Sequence, residues 1–142
     1  MRFRVSIIRW IDDVVKMLHG IAVNLVFGFV QPNNQLTNLP AEIGQLMSLT
    51  ELYLNDNKLT SVPAEIWQLT SLKELDLGQN QLTSVPAEVL QLTALTELSL
   101  HGNQLTSVPA EIWQLTSLRV LYPNDNKLMC GPAAICELRA AG

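Results

Sequence analysis

The side chains in this chain that could do acid–base or nucleophilic chemistry are few and far apart. His19 and His101 are its two histidines, the residue type whose ordinary titration falls near neutrality. Neither has a serine, cysteine or carboxylate at a spacing that suggests a triad. Cys130 and Cys136 sit together near the end of the sequence, and Cys-x5-Cys is neither a metal nor a redox spacing. They read as thiols packed in a terminal cap, with a bridge closing a small loop and a redox pair as the alternatives. Glycine-rich phosphate loops, zinc clusters and calcium loops have no counterpart in the sequence. The expectation is a protein that is not an enzyme and that carries no cofactor and no metal. One acidic series does recur at fixed spacing: Glu51, Glu74 and Glu97. Three carboxylates without other ligand types suit recognition of charge better than a built metal site.

What positions that series is a repeat. The phrase LTSVPAEIWQLTSL occurs unchanged at 59–72 and at 105–118, and LTSVPAEVLQLTAL stands midway at 82–95, so the period is 23 residues. Repetition at this period marks a stacked structural unit rather than a duplicated catalytic surface. Repeats begin at Leu49, Leu72 and Leu95, with a further one at Leu118 and a degenerate one at Val26. Their skeleton, L-x-x-L-x-L-x-x-N-x-L-x-x-V-P-x-x-I-x-x-L, closely resembles the leucine-rich repeat in its short variety with an LPxxI or VPxxI second half. Leu52, Leu54, Asn57, Leu59, Pro63, Ile66 and Leu69, with their copies one and two periods on, carry the resemblance.

The alternation in L-x-x-L-x-L has the period of a strand, so Leu52 and Leu54 point one way and Tyr53 the other. Equivalent strands stack into a parallel sheet, and Leu75, Leu77, Leu98 and Leu100 extend the inner columns. Pro63 bars strand pairing in the second half and turns the chain back as loop and short helical turn. The predicted fold is an α/β solenoid of about four and a half turns, a horseshoe with a short parallel sheet on its concave face. Asn57, Asn80, Asn103 and Asn126, with Asn34 before them, fall where each strand ends and are read as structural, bonding backbone groups at the bend.

Both ends depart from the repeat, as a solenoid requires to cover its terminal leucines. Residues 1–25 form the expected N-terminal cap, repeats fill 26–128, and 129–142 form the expected C-terminal cap. Ser6 to His19 fits an amphipathic helix, with Gly20 as its stop. Membrane-surface binding by that helix is the competing reading, although its Arg9, Asp12, Asp13 and Lys16 balance in charge. At the other end Pro123 replaces the third strand leucine and reads as a stop for strand pairing.

The chain has 142 residues, is 48% hydrophobic and has a formal charge of −4, which suits one globular domain. Without a run of Lys or Arg, nucleic acid is not an expected partner. The apolar stretch at 21–30 falls short of the roughly 20 residues needed to cross a membrane. Its two cysteines and the charged residues interrupting its N-terminal apolar segment favour an intracellular setting.

The resemblance implies that a protein or peptide docks on the concave face. The residues it directs there are Glu51, Tyr53, Asn55 and Asp56; Glu74, Asp76, Gly78 and Gln79; Glu97, Ser99, His101 and Gly102; and Val120, Tyr122, Asn124 and Asp125. Because the glutamate column is acidic, a basic or polar segment is the partner that fits, with Tyr53 and Tyr122 as flanking anchors. Lys73 and Arg119 stand beside the column and weaken its charge. The other reading is that the glutamate was simply copied with its repeat, in a structural array or a fragment of a larger protein. Gly44, Trp67, Leu90 and Trp113 occupy the position the motif leaves facing outward. They form either a second contact or self-association surface, or aromatic rings folded flat on the outer arc.

Overall fold

A computed structural model describes residues 28–30 and 35–129. The expected helix at 6–19, with His19, and Asn34, Cys130 and Cys136 all lie outside the described residues. Five three-residue strands follow one another at the repeat interval: β1 Gly28–Val30, β2 Glu51–Tyr53, β3 Glu74–Asp76, β4 Glu97–Ser99 and β5 Val120–Tyr122. They form one parallel sheet in sequence order. Between successive strands from β1 to β5 lie four 3-10 helices: η1 Ala41–Gln45, η2 Ala64–Gln68, η3 Ala87–Gln91 and η4 Ala110–Gln114.

The repeat explains each element. In the strand, Leu52 and Leu54 are buried while Glu51 and Tyr53 are half-buried on the opposite face, as the strand period requires. The proline ahead of η1, η2 and η3 sits in an extended conformation, with φ −65° at Pro63, and its carbonyl starts the turn. Ile66 N–H donates to Pro63 O at 3.1 Å, and Leu69 N–H to Ile66 O at 3.2 Å. Two such i to i+3 bonds return the chain on a path too short for an α-helix to propagate.

The core is a set of parallel columns, one residue per turn. Leu52, Leu75 and Leu98 form one; Leu54, Leu77 and Leu100 another; Leu59, Leu82 and Leu105 a third; Ile66, Val89 and Ile112 line the outer wall. Each turn covers its neighbour, so removing one leucine opens a cavity shared by two turns.

Asparagine joins the turns at the polar corner. Asn57, Asn80 and Asn103 are each 7% exposed, and each side chain spans two repeats. Asn80 Oδ1 accepts from Leu59 N–H at 3.0 Å, while Nδ2 donates to Leu54 O at 2.9 Å and Leu77 O at 3.0 Å. Asn103 repeats the pattern with Leu82, Leu77 and Leu100, as does Asn126 with Leu105, Leu100 and Pro123. An amide supplies two N–H donors and a separate acceptor oxygen from one short side chain, so it can hold both neighbours at once.

Immediately before each asparagine the backbone is left-handed: φ is 58° at Asp56, 52° at Gln79, 64° at Gly102 and 56° at Asp125. Glycine takes this conformation freely, whereas the other three residues adopt it at a cost of about 1–2 kcal/mol.

Among the described residues β5 is the last strand of the sheet. Leu54, Leu77 and Leu100 each donate a backbone N–H to the next turn, at Asp76 O, Ser99 O and Tyr122 O. The equivalent residue beside β5 is Pro123, which has no N–H to offer.

Candidate functional site

The concave face is built from the strand residues that point away from the core. The register places Glu51, Glu74, Glu97 and Val120 in one row, and Tyr53, Asp76, Ser99 and Tyr122 in the next. Rows in a parallel sheet repeat at about 4.8 Å, so the three glutamates span about 10 Å and repel by roughly 1 kcal/mol per neighbouring pair in water.

That repulsion is partly met within the face. The Tyr53 hydroxyl donates to Glu74 Oε2 and lies 3.5 Å from Glu51 Oε2. The hydrogen bond to Glu74, followed by burial and the charges of Glu74, Glu51 and Glu97, holds the Tyr53 hydroxyl well above the ordinary tyrosine range. Tyr53 is therefore fastened at one end of the column. Tyr122, 46% exposed, stands at the other end beside half-buried Val120.

The central part is more closed than the sequence suggests. Ser99 is only 6% exposed, and its Oγ lies 2.9 Å from His101 Nδ1. The imidazole rests on Gly78, where a Cβ would come within 2.2 Å of the ring, and Asp76 Oδ1 accepts from Gly78 N–H at 2.8 Å. This serine–histidine contact escaped the sequence reading. The signal was the one-residue gap between Ser99 and His101, which sets both on one side of an extended segment. A nucleophile buried to this degree is closed to substrate, and the pair acts to fix the imidazole over a side-chain-free position. Gln79 likewise lies across Gly102, where a Cβ would meet its amide at 2.6 Å.

At the turn rim Asn55 Nδ2 donates to Asp56 Oδ2 at 2.7 Å, and Asn124 Nδ2 to Asp125 Oδ2 at 2.9 Å. Lys73 and Arg119 are exposed beside the strands. Residues 35–129 carry ten carboxylates against four basic side chains, so this stretch is markedly acidic. Among the described residues no group of three or more His, Cys, Asp or Glu is arranged to hold a metal, and no helix is long and apolar enough to cross a membrane.

The outer arc corrects the expected apolar stripe. Trp113 is 46% exposed, but Trp67 is 2% exposed and belongs to the core; Leu90 is partly buried against it. Gly44 contributes to the close packing at Trp67. With no side chain there, η2 closes on η1 until a Cβ on Gly44 would stand 2.6 Å from Glu65 Cβ, whereas Trp113 follows the bulkier Leu90. Trp67 is therefore unavailable as a surface residue.

The comparisons agree with this geometry. A family model described as a leucine-rich repeat region matches residues 27–139. A leucine-rich-repeat protein of Leptospira interrogans is 44% identical, over 76% of this chain and 33% of its own, with a TM-score of 0.59. An internalin of Listeria monocytogenes is 26% identical, over 82% of this chain and 32% of its own, with a TM-score of 0.67. The chain thus spans about a third of the length of either structure. Among curated proteins none matches it. With its repeat period, asparagine ladder and stacked parallel strands in agreement, the chain belongs to the leucine-rich-repeat family.

Proposed function

We propose that this chain is a protein-interaction module that takes a protein or peptide on the concave face of its sheet. Leucine-rich-repeat domains are generally protein-interaction modules. The observation that carries the reading here is the register-held row of Glu51, Glu74 and Glu97, running between Tyr53 and exposed Tyr122. Tyrosine is among the residues enriched at contact surfaces, and an acidic row beside it supplies the charge complementarity that steers and orients a basic partner.

A second reading, that the array is structural and this face takes no partner, draws support from Tyr53, whose hydroxyl already answers Glu74. A pull-down from native lysate with the parent chain and with Glu51→Lys, Glu74→Lys and Glu97→Lys combined separates the two. A partner held by the parent and lost by the variant supports docking. Identical lanes support the structural array.

A further inference from the structure

We propose that the occupant of this face is a basic amphipathic helix, laid across the strands along the solenoid axis. It would present Lys or Arg at i, i+4 and i+7 and an apolar residue near i+10 or i+11. The proposal rests on the docking reading above and specifies its partner.

Spacing is the first argument. The glutamates repeat once per strand, about 4.8 Å apart and about 10 Å overall. On a helix, rising about 1.5 Å per residue, positions i, i+4 and i+7 share one face and spread over about 10.5 Å. Same-face residues of an extended segment advance about 6.6–6.8 Å, so its third base overshoots the third carboxylate by several ångströms.

Backbone accounting is the second. A segment lying on the face of the sheet meets side chains, because the strands bond to one another. A helix satisfies its own backbone groups and an extended segment does not. An extended segment would find backbone partners only at an edge of the sheet, and at β5 Pro123 lacks the N–H that Leu54, Leu77 and Leu100 each give the next turn.

The third argument is the change of chemistry at β5. One strand beyond Glu97 the row turns apolar at Val120, with exposed Tyr122 in the neighbouring row. That is about 14 Å from Glu51, the distance at which i+10 of the same helix face arrives. Charge complementarity thus covers three strands and an apolar anchor the fourth.

The test uses two fluorescein-labelled, alanine-based peptides of about 18 residues. One carries the stated pattern, and the other has the same composition with its lysines scattered around the helix. Anisotropy titrations against the full chain run at low and at physiological salt. Exposed charge pairs change affinity by roughly 1.5- to 5-fold each. The patterned peptide should therefore bind about tenfold tighter than its isomer, and lose that advantage when Glu51, Glu74 and Glu97 all become Gln. Tyr122→Ala should weaken the patterned peptide more than the isomer. Circular dichroism establishes that each variant is folded. Equal binding of the two peptides overturns the proposal, since the face would then attract charge without reading a helix. Absence of binding by either peptide, with a lysate partner still lost on Glu→Lys substitution, also overturns it and leaves docking intact. If that substitution loses no partner, the docking reading itself fails.

Discussion

Replacing Asn80 tests the joint between turns. In Asn80→Ala, four hydrogen bonds vanish, but their former partners fare differently. Leu54 O keeps Asn57 Nδ2, Leu77 O keeps Asn103 Nδ2, and Gly78 O keeps Asp56 N–H. Leu59 N–H, which bonds to Asn80 Oδ1, is left unpaired beside a fully buried leucine. One orphaned buried donor costs about 1–3 kcal/mol, and the lost donations to carbonyls that stay partnered add about 1 kcal/mol, so the expected loss is about 2–4 kcal/mol. Asn80→Asp separates geometry from charge. Its carboxylate can still accept from Leu59 N–H, but it faces the carbonyls of Leu54, Leu77 and Gly78 with no hydrogen to give. Burial and those dipoles raise the folded-state pKa above the unfolded value of about 3.9. Between the two values the folded chain binds more protons, so stability falls as pH rises through that window and the full penalty stands above it. Urea unfolding followed by tryptophan emission, at pH 7 and near pH 4, reads both variants. An alanine variant within about 1 kcal/mol of the parent, or an aspartate variant as stable as the parent at pH 7, would refute the accounting.

Three further outcomes are expected. Leu75→Ala empties a column position in the middle of the array and should cost about 2–5 kcal/mol, read as a lower denaturation midpoint at unchanged slope. Gly102→Ala, at φ 64° and against the Gln79 side chain, should cost about 1–2 kcal/mol in thermal melts, whereas alanine at Gln79 should cost much less because no glycine freedom is lost there. Tyr53 should ionise above the ordinary tyrosine range in an ultraviolet titration, and Glu74→Gln should bring it down. Because its folded pKa is raised, its contribution is complete below the unfolded value of about 10 and is lost as pH rises above that, so the Glu74→Gln chain should lose less stability on alkalinisation.

The scaffold was legible because its signals are periodic and local. Leucine spacing set the strands, Pro63 and its copies the return path, Asn57 and its copies the corner, and each does the same job in every turn. The departures come from neighbours one period away. Trp67 and Trp113 stand in the same fourteen-residue phrase but in different surroundings: Trp67 has Gly44 in the turn before it and Leu90 in the turn after, whereas Trp113 follows Leu90. The left-handed corner was equally hidden. Gly102 alone announces it, while Asp56, Gln79 and Asp125 are forced into it by the surrounding fold. On the concave face, residue identities were readable. The closing of Ser99 and Gly78 under His101 was not, since it depends on a ring from one turn covering a glycine in another.

The repeat gives the molecule a direction in which it can change. The interior turns present the same strand pairing and asparagine joints to the turn before and the turn after, so a spare copy of 23 residues could be spliced among them with that ladder kept. Each splice would lengthen the glutamate row by one rung, about 4.8 Å, and extend the reach for a longer partner in whole-number steps. At Pro123 the ladder lacks one rung, because proline has no N–H to give. Length is thus adjustable among the interior turns, as in a ruler that grows by inserted units.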